Sequence, residues 1–334
     1  MVATGHACQD RARTMISQRA IEAIEASDTD ELIRVVDGHC ESKAWDELIA
    51  LRHRCSEAVT RGKQVWGVEE HIRYRLALEA PPEYAGPVVS EGALRFGLGP
   101  LAEVAASTKT WDEMAPHLEI GPERATFAAE RVVRGDSGVG ELPDLPGELM
   151  PWEKGYPLAI YKADKVEAPS PNPPPVREVN VPTEFTRLSD AQSEGALGDL
   201  VAPWLEESNG RYDTATVEGD APAAIRALGL TSVRLGEIDI ADAFNWMVWA
   251  GASGGAHGQR RGTAAGRFGA WWVVATLCDL DWPPDPEVVS TVVERLRWFW
   301  FDDGSPGTGW QLRLAIEDPD AGLAWAISAV DSAD

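Results

Sequence analysis

Arg297-Trp-Phe-Trp-Phe301, Trp310-Gln-Leu-Arg-Leu-Ala-Ile316 and Leu323-Ala-Trp-Ala-Ile-Ser-Ala-Val330 decide the fold class of this chain. Each run is rich in aromatic and branched residues, too short for a typical helix, and bounded by turn formers. The separators, Asp303-Gly-Ser-Pro-Gly307 and Asp318-Pro-Asp-Ala-Gly322, carry the glycine, proline and aspartate that tight connections require. The three runs predict an antiparallel meander. Upstream, Ile240–Ala252, Thr263–Leu280 and the stretch around Val288–Leu296 have helical character, as do 189–207 and 221–228, with short strands expected at 212–217 and 232–235. Helices laid on one face of such a sheet give an α+β layer domain over 184–334.

Working further outward, residues 136–183 are crowded with prolines, including Pro169, Pro171, Pro173, Pro174 and Pro175, which exclude helix and favour extended backbone. This segment is expected to be a linker or wrapping arm. Trp152, Tyr156, Leu158, Ile160 and Tyr161 predict that its first half docks onto a surface, because a solvated spacer has no use for large apolar groups. Residues 1–135 show apolar positions at helical spacing, for example Ile16, Ala20, Ile21 and Ile24, or Trp45, Leu48, Ile49 and Leu51. Short connections between them predict an antiparallel helical stack, so the whole chain reads as predominantly α within an α+β class. No fixed repeat period is present.

The chain has 334 residues, 54 acidic and 30 basic, for a formal charge of −24. The deficit is spread over 1–135, 136–230 and 231–334 as −6, −10 and −8. Acidity spread along the whole chain repels polyanions, so direct nucleic-acid binding is not expected; the first reading of the charge is ordinary solubility, and beside it stand attraction of a basic protein partner and imitation of DNA toward a DNA-binding protein. An apolar content of 44% with 14 tryptophans identifies a packed protein, not a disordered polyanion. The longest uninterrupted apolar stretch, Phe268–Cys278, is too short to span a bilayer, so no membrane partner is expected. The N-terminus lacks an apolar export core, and the four cysteines contain no Cys-x-x-Cys pair; the expected location is the cytoplasm.

One segment stands apart. Gly254-Gly-Ala-His-Gly-Gln-Arg-Arg-Gly-Thr-Ala-Ala-Gly-Arg267 joins the two long helices and holds three of the seven basic residues beyond position 230. Gly258, Gly262, Gly266 and Ala270 recur every four residues, a stripe without bulk along which another element can approach closely wherever the run is helical. Two readings follow. In the first, the arginines bridge internal carboxylates and glue the fold. In the second, glycine-exposed amides and a helix start at Thr263 hold a phosphate or carboxylate ligand with Arg260, Arg261 and Arg267, and His257 serves as acid or base. The segment is neither a Walker A loop nor a dinucleotide fingerprint, since the Lys-Ser/Thr ending and the preceding strand are missing.

The Gly-Gly-Ala-x-Gly-x-Arg-x-Gly-x-Ala-x-Gly-Arg-x-x-x-Trp pattern at 254–271, with the tail from Trp310 through Trp325-Ala-Ile to Asp331, resembles an uncharacterised family of actinobacterial proteins. The resemblance implies a bacterial cytoplasmic protein and carries over no active site.

Other constellations are weaker. His6, Cys8, His39, Cys40, His53 and Cys55 lack the paired spacing of a zinc site, so no metal and no cofactor is expected. Asp302, Asp303, Asp318 and Asp320 fit turn chemistry, and Asp331 is expected to pair with an arginine. Phe244, Trp246, Met247, Val248 and Trp249, then Trp271 and Trp272, surround their helices with apolar groups, which predicts burial. An aromatic pocket beside Asn245, His257 and Arg267 is the functional alternative. No Gly-x-Ser-x-Gly, His-Glu-x-x-His or Cys/His catalytic signature occurs, so the reading leans against an enzyme and toward protein interaction or regulation.

Overall fold

The computed structural model describes residues 16–95, 97–307 and 309–333. The fold is α+β: fourteen α-helices, a seven-stranded antiparallel sheet and a two-stranded ribbon, β1 (Ile160–Tyr161) with β2 (Val166–Glu167), among the described residues. The chain divides into two compact units, one of residues 1–127 with 161–166, the other of 128–160 with 167–334.

The first unit contains α1 (Gln18–Ala26), α2 (Thr29–Glu41), α3 (Trp45–Thr60), α4 (Trp66–Glu79), α5 (Pro82–Ser90), α6 (Leu101–Ala106), α7 (Trp111–Met114) and the start of α8 (Pro122–Val133). Side-chain caps set several of these starts: Ser17 accepts the Ala20 amide, Asp28 accepts that of Glu31, and Thr110 forms a capping box with Glu113. Helix α4 packs against α2, α3, α5 and α6, and is buried along most of its length from Val68 to Leu78. That surrounding forces its charges into partnerships. Arg75 pairs with Asp37 and, at 2.6 Å, with Glu79; Arg73 donates to the carbonyl of Gly92 at 2.7 Å. Lys109, buried, donates to the last-turn carbonyls of Ala77 and Leu78 at 2.8 and 3.0 Å, the position where a helix dipole favours a cation. Residues 161–166, from the proline-rich segment, complete this unit: Tyr161 donates to fully buried Glu103 at 2.6 Å.

In the second unit the predicted meander is the centre of a larger sheet. Strands β3 (Arg177–Val179), β4 (Thr186–Leu188), β5 (Arg211–Glu218), β6 (Val233–Ile238), β7 (Arg297–Asp302), β8 (Gly309–Asp318) and β9 (Leu323–Ser332) lie in the order β3-β6-β7-β8-β9-β5-β4. Register is fixed by side-chain alternation: Leu314 opposes Ile327, Ala315 opposes Ala326, and Ile316 opposes Trp325. One set, with Trp298, Trp300, Leu314, Ile316, Trp325 and Ile327, belongs to the main core beneath α12 (Ile240–Ala252) and α13 (Thr263–Leu277). The alternate set, Phe299, Phe301, Ala315, Ala324 and Ala326, packs with α11 (Ala221–Ala227). Helices therefore cover both faces, not one; the small alanines opposite α11 let its own alanines approach the sheet. Trp246 of α12 stacks on Trp300 of β7 with centroids 3.9 Å apart. The remaining helices are α9 (Ala191–Asp199), α10 (Ala202–Glu206) and α14 (Pro286–Arg295). Among the described residues, no helix is long and apolar enough to cross a membrane.

The expected four-residue stripe is only half helical. Helix α13 begins at Thr263, so Gly258 and Gly262 lie in the preceding loop, while Gly266 and Ala270 face α12. At Gly266 a methyl group would overlap the carbonyl oxygen of Val248, and a Cβ at Gly251 would come within 3.1 Å of the Gly266 Cα. The two helices thus cross backbone to backbone. Gly266→Ala is expected to lower stability by about 1–3 kcal/mol, because the obstructing atom is backbone and cannot swing aside. Gly195→Ala, in α9 with open space around its Cβ, is expected to be neutral or stabilising by up to about 1 kcal/mol. Urea unfolding of the two variants checks the contrast; equal effects would contradict it.

Candidate functional site

The loop from Ser253 to Gly262 turns the chain from α12 into α13, and its amides look for acceptors as any helix-terminal segment does. They find them within the protein. The Ala256 amide donates to Asp331 Oδ2 at 2.7 Å, the Gln259 amide to Glu207 Oε2 at 2.8 Å, and the Arg261 amide to the Ala252 carbonyl at 2.8 Å. The Ala264 amide, in the first turn of α13, donates to Glu130 Oε1 at 2.8 Å. Glycine at the N-cap, position 262, has no side chain to offer, so buried Glu130 supplies the negative charge at the positive end of the helix. Gly255 is required twice: its φ of +76° is left-handed, and a Cβ would overlap the Asp331 carboxylate. Asp331, expected to meet an arginine, holds this backbone turn instead.

One turn into α13, Arg267 is 1% exposed and bound on all sides. Its Nε and Nη2 meet the two oxygens of Glu153 at 2.7 and 2.8 Å, a bidentate pair. Nη1 donates to the Pro146 carbonyl at 3.0 Å and Nη2 to that of Glu148 at 3.1 Å, while the guanidinium lies 5.7 Å from the Trp271 ring. Glu153 in turn accepts from Trp271 Nε1 at 3.0 Å, the Tyr156 hydroxyl at 2.5 Å and the Met150 amide at 2.9 Å. Burial pushes the Glu153 carboxyl up, but the hydrogen bonds and charge of Arg267, helped by Met150 and Trp271, hold it below the usual carboxylate range. Burial and the adjacent carboxylate push the Tyr156 hydroxyl up well above its ordinary value, which keeps it a donor.

The candidate residues are thereby separated. Thr263 and Arg267 are buried, and Arg260 donates from Nη2 to Thr263 Oγ1 at 3.1 Å. His257 and Arg261 have exposed side chains; the His257 backbone amide is held by Ser208 Oγ at 3.1 Å. The aromatic groups around them form core: Trp152 packs at 4.7 Å on Phe244 and 5.5 Å on Trp271, so the proline-rich segment docks within this unit through Trp152 and Tyr156. Glu153 and Glu130 were not among the sequence candidates. The local trace of Glu153 is a carboxylate set between two aromatics, Trp152 and Tyr156, in an otherwise proline-dominated stretch.

Elsewhere, burial pushes the thiols of Cys40 and Cys55 up to about 11 and about 12, which makes them poor thiolate donors. His6 and Cys8 lie outside the described residues, and no cluster of three His, Cys, Asp or Glu suited to a metal occurs among those described. The aspartates of the last hairpins do turn chemistry: Asp302 accepts the Gly304 amide at 2.7 Å, Asp303 that of Ser305 at 2.9 Å, and Asp318 that of Asp320 at 3.1 Å.

Removing one member of the Arg267–Glu153 pair strands the other charge in the core. Glu153→Gln and Arg267→Met are each expected to destabilise the protein by about 3–5 kcal/mol in urea unfolding followed by tryptophan fluorescence. The pair also sets an acid limit. A carboxyl whose folded pKa is lowered contributes fully above its unfolded value of about 4.3 and loses that contribution as pH falls through the folded value. The wild-type protein should therefore lose stability below about pH 4 more steeply than Glu153→Gln, which has no proton to take up there; parallel pH profiles would contradict the assignment.

No curated protein and no solved structure matches the chain. A family described only as of unknown function, DUF6183, matches residues 30–333, which takes in both units and the whole glycine-rich junction. The chain belongs to that family of unknown function, DUF6183.

Proposed function

We propose that this protein is a non-enzymatic, cytoplasmic bacterial protein that works by binding a basic protein partner, in an interaction or regulatory role. The observation that carries this reading is the internal closure of the glycine-rich junction. Its amides and Arg267 are engaged by Asp331, Glu207, Glu130 and Glu153, so the segment richest in anion-binding chemistry serves the fold. Further arginines are tied up in the same way, Arg52 with Glu69, Arg131 with Asp136, Arg295 with Asp318 and Arg313 with Asp303. With many cations already paired to carboxylates, the net charge of −24 is carried largely by exposed acidic side chains, where it favours a cationic protein and disfavours nucleic acid. In this reading the helices up to about residue 135 form an antiparallel stack offering extended faces, the segment 136–183 is a wrapping arm, and 184–334 is an α+β body.

The rival reading, an enzyme or sensor for a phosphate- or carboxylate-bearing small molecule at Gly254–Arg267, draws first on His257 and Arg261, the two exposed candidates, because the Gln259 and Ala264 amides and Arg267 already bond carboxylates and Arg260 donates to Thr263.

Capture from the native host on immobilised protein, at about 50 mM and about 300 mM salt, tests the proposal. A specific protein retained at the lower salt and weakened at the higher is expected; no partner at either salt would contradict it. In parallel, inorganic phosphate, ATP and acyl-CoA at about 1 mM should leave the melting temperature unchanged. A saturable shift that disappears in a His257→Ala, Arg261→Ala double variant would move the weight to the ligand reading.

A further inference from the structure

Apart from Arg267, helix α13 is made of small, apolar and threonine residues, yet it is not buried all round. Phe268 is 40% exposed and Trp272, one turn later on the same stripe, is half-buried. Trp282, from the loop after the helix, packs edge to face on both, with centroids 5.0 Å from Phe268 and 5.3 Å from Trp272 at interplanar angles of 65° and 73°. Its indole N–H points to Asp144 Oδ1 at 3.4 Å. A solvated helix face has no need of two large aromatics, and three mutually braced rings lose little conformational freedom when something covers them.

The surroundings choose the partner. From Phe268 to Glu294 the chain contains no lysine or arginine, while Asp279, Asp281, Asp285 and Glu287 are all exposed, the first three within three residues of Trp282. Aromatic faces carry negative quadrupole potential, and here negative charges flank them. A guanidinium satisfies both features, because it stacks flat on a ring while its edge hydrogens meet carboxylates; an ammonium does so less well.

Resting on the reading that the outer surface takes a basic partner, we propose that Phe268, Trp272 and Trp282, with Asp144, Asp279 and Asp281, form the docking surface for an arginine-bearing segment of that protein. The arginine side chains lie over the rings and the carboxylates fix their edges. Apolar area supplies contact, and the charges supply orientation and rate of encounter.

Fluorescence anisotropy of labelled octa-arginine and octa-lysine peptides with the full chain, at about 150 mM salt, tests this. Octa-arginine should bind saturably and more tightly than octa-lysine. Phe268→Ala should weaken octa-arginine about tenfold while the protein stays folded, with its far-ultraviolet circular dichroism unchanged. Asp279→Asn with Asp281→Asn should weaken it and flatten its salt dependence, whereas Asp213→Asn, an exposed carboxylate on β5, should change nothing. Absence of binding, equal affinity for the two peptides, or indifference to Phe268→Ala would overturn the assignment, as would a self-association at the same concentrations that Phe268→Ala abolishes. The surface and the broader interaction reading fail separately: a host partner captured equally by wild type and Phe268→Ala removes this surface and leaves the interaction standing.

Discussion

A buried guanidinium needs acceptors to match its charge and its hydrogens, and the Arg267–Glu153 pair is the constraint around which the second unit is arranged. Glu153 receives donors from Arg267, Trp271, Tyr156 and the Met150 amide, and Arg267 gives two further hydrogens to the carbonyls of Pro146 and Glu148. Each nitrogen of Arg267 and each oxygen of Glu153 has a partner, which is the condition under which ionised groups can sit in a core. Its position explains why a segment full of prolines is nonetheless ordered. Proline breaks the local hydrogen-bond ladder and leaves carbonyls without partners; the guanidinium collects two of them. Trp152 and Tyr156, on either side of Glu153, then follow the carboxylate into the hydrophobic core.

The glycine-rich junction obeys the same logic in backbone form. Glycines bring amides and carbonyls too close together for side chains to intervene, so the exposed donors require acceptors from elsewhere in the chain. Asp331 arrives from the last strand, Glu207 from the end of α10 and Glu130 from α8. Three elements far apart in sequence therefore meet at one turn, and the turn acts as a fastener for the unit. A chain with an excess of acidic residues has carboxylates to spare for this purpose, and the remainder keep its net charge negative.

Much of the second unit was legible because its signals are local. Asp239 caps α12 by accepting the Asp242 amide, the glycines end it, and the β7–β9 meander announces itself through aromatic and branched runs separated by the turn formers of 303–307 and 318–322. Strands β3 and β4 were not legible. Each is three residues long and mostly polar, and only pairing with β6 and β5 makes it a strand. The second face of the sheet was obscured because alanines at Ala315, Ala324 and Ala326 read as filler until α11 is placed against them. At the junction, residue types pointed to anion chemistry, but the identity of the anions depended on Glu130 and Glu153, more than a hundred residues away and without a spacing to reveal them. The periodic glycines gave a helical stripe where half of the run is loop, since a four-residue period carries no mark of where the helix starts.

The most direct measurement of the central claim, that Arg267 exists to hold Glu153, is a double-mutant cycle in urea with Glu153→Gln, Arg267→Met and the two combined. A coupling energy of at least about 2 kcal/mol is expected, with the double variant far more stable than the summed single losses would make it. Additive losses would show that the two groups do not depend on each other and would contradict it.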